Sequence, residues 1–171
     1  SSRDGRWLAT AHGDGRIFLW ELATRRLLAQ VGPTGRPGIP PLAFSPDGQR
    51  LASGGGAGEI ALRHVPTLRL LGTFAARMPP SGLAFSPDGR RLAAAPGGAL
   101  AAVTLWDVAT QGQLLDLTAE AGICVSPQFS PDGRTLTVMR GGETLFWRVP
   151  GLEDSDEGER EKGEGRRENE L

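Results

Sequence analysis

The sequence predicts an all-β protein of about four repeated four-stranded sheets, because one turn recurs with short strands at fixed distances around it. The segment Phe-Ser-Pro-Asp-Gly begins at Phe44, Phe85 and Phe129, so its copies are spaced 41 and 44 residues apart. An incomplete copy, Ser2-Arg3-Asp4-Gly5, precedes them. A period of about 40–45 residues in a chain of short strands is typical of a β-propeller, in which each repeat forms one blade.

The repeated turn is expected to join the first two strands of each unit, strands a and b. Proline presets φ for the second position of a type I turn, aspartate suits the third, and glycine supplies the left-handed residue that follows. Such a turn is a usual hairpin connection. We therefore expect three Asp-Gly pairs to be structural residues of the blades: Asp47 and Gly48, Asp88 and Gly89, and Asp132 and Gly133.

The remaining strands are short apolar runs at constant offsets from this turn. Strand b follows the turn directly, and after a glycine-rich break strand c occupies about 17–21, 60–64, 103–107 and 144–148. Strand d begins near Leu27, Leu70 and Leu114 in the first three units. Turn residues bound these runs, which are too short for helices. The predicted blades cover about residues 1–38, 39–79, 80–121 and 122–150.

The first and last units are each expected to lack one strand. The first has no strand a, and Pro150-Gly151 ends the pattern after strand c of the fourth. We expect this chain to be the C-terminal fragment of a longer propeller, with the remaining blades as its partners. Alternatively, two copies could pair into an eight-bladed ring, because unpaired sheet edges favour association.

Two strings resemble bacterial WD-repeat β-propellers. They are Leu-Ala-Phe-Ser-Pro-Asp-Gly-Arg-Arg-Leu-Ala at 83–93 and Val-Thr-Leu-Trp-Asp-Val-Ala-Thr at 103–110, and Trp106-Asp107 is the namesake pair of that family. The resemblance covers about residues 1–150. It implies a noncatalytic scaffold for protein–protein interaction. The alternative is a regulatory or substrate-binding propeller module of a larger enzyme, such as a protein kinase or protease.

The resemblance also implies a hydrogen-bonded set in each blade. The set consists of a His before strand a, a Ser or Thr in strand b, an Asp in the b–c turn and a Trp in strand c. The matching positions are Thr10, Asp14 and Trp20 in the first unit, Ser53 in the second, Trp106 in the third and Trp147 in the fourth. Arg63 replaces the Trp of the second unit, and the sequence has no Gly-His pair, so no unit has the complete set.

The sequence carries no pattern that favours catalysis, a cofactor or a metal. The glycine run at 54–58 precedes a strand and is not followed by Lys-Ser or Lys-Thr, so we read it as a turn. His12 and His64, the only histidines, fall in different units, which argues against a zinc site. The single cysteine, Cys124, lies on a predicted strand a and is expected to be a buried thiol. The chain is therefore predicted not to be an enzyme.

Charge divides the chain into two parts. Residues 1–152 hold eleven acids and fifteen arginines, a net charge of +4, whereas residues 153–171 hold nine acids and four bases, a net charge of −5. We expect residues 1–151 to form the propeller segment and 152–171 a disordered charged tail. The arginines after the a–b turns have no aromatic residues between them for base stacking, so nucleic acid is not an expected partner.

The expected partners are other proteins or peptides. The connections between units vary in length, and variable loops on a rigid scaffold usually carry binding specificity. We therefore predict that Arg36, Arg77, Met78 and Arg140 contribute to a partner-binding face. No apolar run approaches the length of a membrane helix, so a cytoplasmic location without membrane contact is expected.

Overall fold

The computed structural model describes residues 1–33, 38–98, 102–118 and 124–149, and all of their regular structure is β-strand. The strands are β1 (Trp7–Ala11), β2 (Ile17–Glu21), β3 (Arg26–Val31), β4 (Leu42–Phe44), β5 (Arg50–Gly54), β6 (Glu59–His64), β7 (Leu70–Ala75), β8 (Pro80–Phe85), β9 (Arg91–Pro96), β10 (Ala102–Asp107), β11 (Gln113–Thr118), β12 (Cys124–Phe129), β13 (Thr135–Arg140) and β14 (Glu143–Arg148). In these ranges no helix is long and apolar enough to cross a membrane.

The strands form four antiparallel sheets in which neighbours in sequence are neighbours in space. Blade 1 contains β1–β3, blade 2 contains β4–β7, blade 3 contains β8–β11 and blade 4 contains β12–β14. The prediction of an all-β partial propeller with incomplete first and last blades is confirmed. Blade 1 has strands b to d and blade 4 has strands a to c within the described residues.

All four blades use one turn geometry, including the incomplete copy at Ser2-Gly5. The serine hydroxyl donates to the aspartate Oδ1 two residues on at 2.5–2.6 Å, and it accepts the amide of the fifth residue on at 2.9 Å. The glycines have φ between 69° and 71°. That φ lies in the left-handed region, so glycine is the residue that adopts it without strain.

The core consists of three apolar clusters, each between two successive blades. Alternate residues of a strand face opposite sides of its sheet, so each inner blade contributes to two clusters. Between blades 1 and 2 the buried residues are Trp7, Ile17, Leu19, Leu51, Val65 and Leu68. Between blades 2 and 3 they include Ile60, Leu62, Phe74, Leu92 and Trp106. Between blades 3 and 4 they include Val103, Leu105, Leu136, Val138 and Trp147.

Candidate functional site

The predicted partner-binding face lies at the end of the sheets that carries the b–c turns and the blade-to-blade connections. We call this end the loop end; its described parts are residues 12–16, 55–58, 76–79, 97–98 and 141–142. The amide of Ala76 donates to the carbonyl of Gly58 at 2.7 Å, and that of Gly97 donates to Pro79 at 2.8 Å. The connection carrying Arg77 and Met78 is thus held by backbone bonds to the b–c turns of blades 2 and 3.

Arg77 is the exposed charge of this connection. Its side chain is 78% exposed, and its Nη2 lies 3.2 Å from Oδ2 of Asp116 on β11. Asp116 in turn accepts a 2.7 Å hydrogen bond from the hydroxyl of Thr104. Ion pairs this exposed add little to stability. The guanidinium is therefore oriented by Asp116 but accessible to a partner.

Met78 differs from Arg77 in being half-buried. A Cβ built on Gly98 would clash with the Met78 Cε, so the thioether rests directly on the backbone of that glycine. The close approach requires glycine at position 98 or a displaced methionine.

The other two predicted binding residues are separated from this pair. Arg140 ends β13, and its Nη2 lies 3.0 Å from Oε2 of Glu143 across the b–c turn of blade 4. Its side chain is only 11% exposed. The structure therefore brings Arg77 and Met78 together and assigns Arg140 to another blade. Arg36 lies outside the described residues.

The hydrogen-bonded set implied by the family resemblance is represented by one contact, in blade 1. The indole N–H of Trp20 donates to the hydroxyl of Thr10 at 3.2 Å. Asp14 instead accepts from Arg16, at 3.0 Å from the amide and 2.6 Å from Nε. The register places Ala94 and Val138 where Thr10 stands, so Trp106 and Trp147 face no hydroxyl there.

Asp107 organises the c–d turn of blade 3. Its Oδ1 accepts from the amides of Ala109 and Thr110 at 3.0 and 2.7 Å and from the Thr110 hydroxyl at 3.0 Å. These bonds hold the pKa of Asp107 below its ordinary value, and the bond from the Thr110 amide has the largest effect. Glu21 with Thr24 and His64 with Thr67 make the corresponding contact in blades 1 and 2. The pattern of Asp, Glu or His followed three residues later by Thr is a signal that sequence reasoning missed.

A cleft of about 450 Å³ opens between blades 1 and 2 on the face of β6 that points toward blade 1. Its lining includes Val31, Pro33, Ser53, Glu59, Arg63 and Leu70. Burial of the Arg63 guanidinium lowers its pKa below the usual arginine value, and Glu59 opposes that shift. The sequence signal for this cleft was the replacement of the strand-c Trp by Arg63.

A second cleft, of about 680 Å³, lies at the opposite end of the sheets, between the a–b turns of blades 2 and 3. Asp47, Arg50, Asp88 and Arg90 line it. Partial burial raises the pKa of Asp47 and of Asp88, but hydrogen bonds from the turn serine and the following amide outweigh it, so both pKa values lie below the ordinary value. Oδ1 of each carboxylate is therefore bonded within the turn that contains it.

The two side chains best suited to chemistry, those of Cys124 and His12, are packed against other parts of the structure. Cys124 is buried, and burial raises its pKa, with Arg140 opposing the shift, so its thiol is held protonated. The His12 ring packs 4.7 Å from that of Phe18. Among the described residues, no group of three or more His, Cys, Asp or Glu side chains could hold a metal ion.

Comparison with known proteins supports the WD-repeat propeller family for this chain. The family model "WD domain, G-beta repeat" matches residues 1–21. Protein FIZZY-RELATED 2 of Arabidopsis thaliana and the B-type cell cycle switch protein ccs52A of Medicago truncatula are each 29% identical over 153 residues, or 86% of this chain. Cilia- and flagella-associated protein 52 of Bos taurus is 36% identical over 63 residues, or 37% of this chain.

The chain spans only part of each of these proteins: 31% of FIZZY-RELATED 2, 32% of ccs52A and 10% of the cilia- and flagella-associated protein. Among solved structures, Kuenenia stuttgartiensis hydrazine synthase matches with a TM-score of 0.76 and 19% identity, over 86% of this chain and 44% of that one. At this identity the likeness shows the fold alone. The fold is thus that of repeated propeller blades.

Proposed function

We propose that this chain is a noncatalytic protein-interaction scaffold that binds other proteins or peptides at its loop end. The observation that carries the proposal is the connection between β7 and β8, which presents an exposed Arg77 beside a half-buried Met78 on rigid sheets. WD40 repeats generally form interaction propellers, and loops on a rigid scaffold are the usual place for binding residues. Arg36 and Arg140 are included in the proposed surface.

The proposal extends to the organisation of the whole protein. We propose a bacterial-type propeller in which residues 1–151 are the C-terminal segment and 152–171 a separate charged tail. Exposed apolar side chains on the outward face of blade 4 support a further packing partner, whether another blade or a second copy; Met139 is 51% exposed and its neighbour Val125 38%. Size-exclusion chromatography with light scattering tests the second copy. A cytoplasmic location belongs to the same proposal, and cell fractionation tests it.

The relatives suggest one kind of process in which such a scaffold acts. ccs52A is named as a B-type cell cycle switch protein. We propose a regulatory role of this kind for the present chain, exerted through protein contacts rather than chemistry. The alternative role, as a module of a larger kinase or protease, has no supporting observation among the described residues.

A pull-down with paired variants tests the proposed surface. Arg77→Ala combined with Met78→Ala is expected to lower partner capture at least fivefold without changing the melting temperature. The matched control combines Arg134→Ala and Arg148→Ala at the opposite end of the sheets, where capture should be unchanged. Equal capture by both double variants and the wild type would overturn the assignment of the loop end.

A further inference from the structure

The interface between blades 1 and 2 is built differently from the other two interfaces. Arg63 pairs with Leu51 in the register in which Trp106 pairs with Leu92 and Trp147 with Leu136. The indoles of Trp106 and Trp147 are buried in their interblade clusters. At Arg63 there is instead a cleft of about 450 Å³, a volume in the range of small-molecule sites.

Two buried polar atoms in this cleft have no hydrogen-bond partner in the described part of the chain. They are Oγ of Ser53, a residue only 1% exposed, and Nε of Arg63. Both residues line the cleft. Buried polar groups in folded proteins are nearly always bonded, because an unmade hydrogen bond leaves the cost of desolvation uncompensated. Two such atoms beside one opening therefore mark a place where an acceptor from outside the chain can bind.

The Arg63 guanidinium is already positioned to donate a hydrogen bond to such an acceptor. Arg63 Nη1 donates to the carbonyl of Leu68 at 3.3 Å, which fixes one edge of the plane and leaves Nε for another acceptor. The walls of the cleft are apolar at Val31, Pro33 and Leu70. An occupant therefore needs an acceptor at one end and a short aliphatic part beside it.

The charges in the cleft select the kind of acceptor. Glu59 lies four residues before Arg63 on the same face of β6, so the Cα atoms of the two residues are about 13 Å apart at the usual rise of a strand. One guanidinium and one hydroxyl match a single negative charge, and a carboxylate pairs well with arginine. With Glu59 in the same cleft, a bound phosphate dianion leaves one more uncompensated negative charge than a bound carboxylate does, so the carboxylate is favoured.

We propose that the cleft between blades 1 and 2 binds a carboxylate that carries a short aliphatic chain, with Arg63 Nε–H and Ser53 Oγ–H as the donors. The same chemistry is offered by a small free carboxylic acid and by a Glu or Asp side chain of a bound peptide. The cleft borders the loop end, because Gly55 and Ala57 also line it, but neither Arg77 nor Met78 does, so the two proposals are tested by different variants.

The test is an NMR titration of the ¹⁵N-labelled full chain, observing the Arg63 Nε–Hε signal assigned with Arg63→Lys. The probes are butyrate, the peptide acetyl-Gly-Glu-Gly-amide, and their neutral counterparts butyramide and acetyl-Gly-Gln-Gly-amide. At least one carboxylate is expected to shift the signal saturably and to bind about tenfold or more tightly than its amide. Binding of butyrate supports a free acid as ligand, whereas binding of the Glu peptide alone supports a peptide side chain.

Two variants and a matched control separate the site from general charge attraction. Affinity should fall about tenfold or more in Arg63→Gln and severalfold in Ser53→Ala, and it should be unchanged in Arg69→Gln, which removes the same charge from an exposed neighbouring position. Should Arg63→Gln not fold, Ser53→Ala alone decides. No saturable shift, equal binding of the amides, tighter binding of inorganic phosphate, or an equal loss in Arg69→Gln would overturn the proposal.

Discussion

The interface between blades 2 and 3 and the interface between blades 1 and 2 place different side chains at one strand position. In the first, the Trp106 ring packs 5.9 Å from that of Phe74 inside a buried apolar cluster. In the second, Arg63 stands at that position beside a cleft, and the buried apolar cluster of this interface includes Trp7, Leu19 and Leu51.

The difference shows that one blade geometry accommodates either an indole or a guanidinium at this strand position. An indole fills its interface with apolar surface, whereas a guanidinium brings several donors that need acceptors. The a–b turns on either side keep the same hydrogen bonds in all four blades. The scaffold therefore tolerates the exchange at Arg63 without a change of topology.

Removing the indole is expected to have the largest effect. Trp106→Ala should lower the free energy of unfolding by about 3–5 kcal/mol, because it removes a buried aromatic ring and leaves a cavity. Arg63→Ala should cost about 1 kcal/mol or less, because its position is already open. Urea denaturation followed by circular dichroism measures both. Equal losses would contradict the distinction between the interfaces.

The next largest effect, a gain in stability, should come from making the interface between blades 1 and 2 like the one between blades 2 and 3. Arg63→Trp is expected to raise the free energy of unfolding by about 1–2 kcal/mol, because it buries an apolar ring in the cleft and removes a guanidinium with an unbonded Nε. The introduced indole N–H also gains Ser53 as an acceptor, as Trp20 has Thr10. Arg69→Trp is the control, and it should leave the urea midpoint unchanged.

The hydroxyls of Thr10 and Ser53 are equivalent in register but are expected to differ in their contribution. Thr10→Val breaks the 3.2 Å bond from Trp20 and should cost about 1 kcal/mol. Ser53→Ala removes a hydroxyl without a partner and should be neutral or slightly stabilising in the absence of ligand. Thermal unfolding of the two variants measures the difference. A loss in Ser53→Ala as large as in Thr10→Val would show that its hydroxyl is bonded.

Lowering the pH should have the smallest effect on stability, and this effect should arise in all four blades. The pKa of Asp88 is lowered in the folded state, because the bonds from Ser86 and Arg90 outweigh burial. Its contribution to stability is therefore present above the unfolded pKa of about 3.9 and is lost as pH falls below it. Asp88→Asn should be less stable than wild type at pH 7, and the difference should shrink toward pH 3.

Urea midpoints from pH 7 to pH 3 measure this effect. Ser86→Ala is the matched control, because it removes the hydroxyl that stabilises the carboxylate and should reduce the pH dependence in the same way. A constant difference between wild type and Asp88→Asn across this range would contradict the role of the Asp88 charge.

Much of the fold followed from local chemistry. In the first unit the sequence predicts strand c at about 17–21 and the start of strand d near Leu27, and the structure has β2 at Ile17–Glu21 and β3 at Arg26–Val31. Turn residues and alternation act over a few positions, so they are legible in a single sequence. The candidate site was harder to predict, because the position of Arg77 beside Asp116 depends on a connection and a strand whose residues lie 39 positions apart in the sequence.

By itself the sequence determined the repeat, the turn chemistry and the all-β class, because these depend on φ preferences and on the period of apolar residues. It also showed that Arg63 replaces a tryptophan. Only the tertiary structure decided that a cleft lies beside this replacement and that Ser53 Oγ and Arg63 Nε have no hydrogen-bond partner among the described residues. Whether a buried donor is satisfied depends on the facing blade, and the distance between blades is not encoded in any local segment.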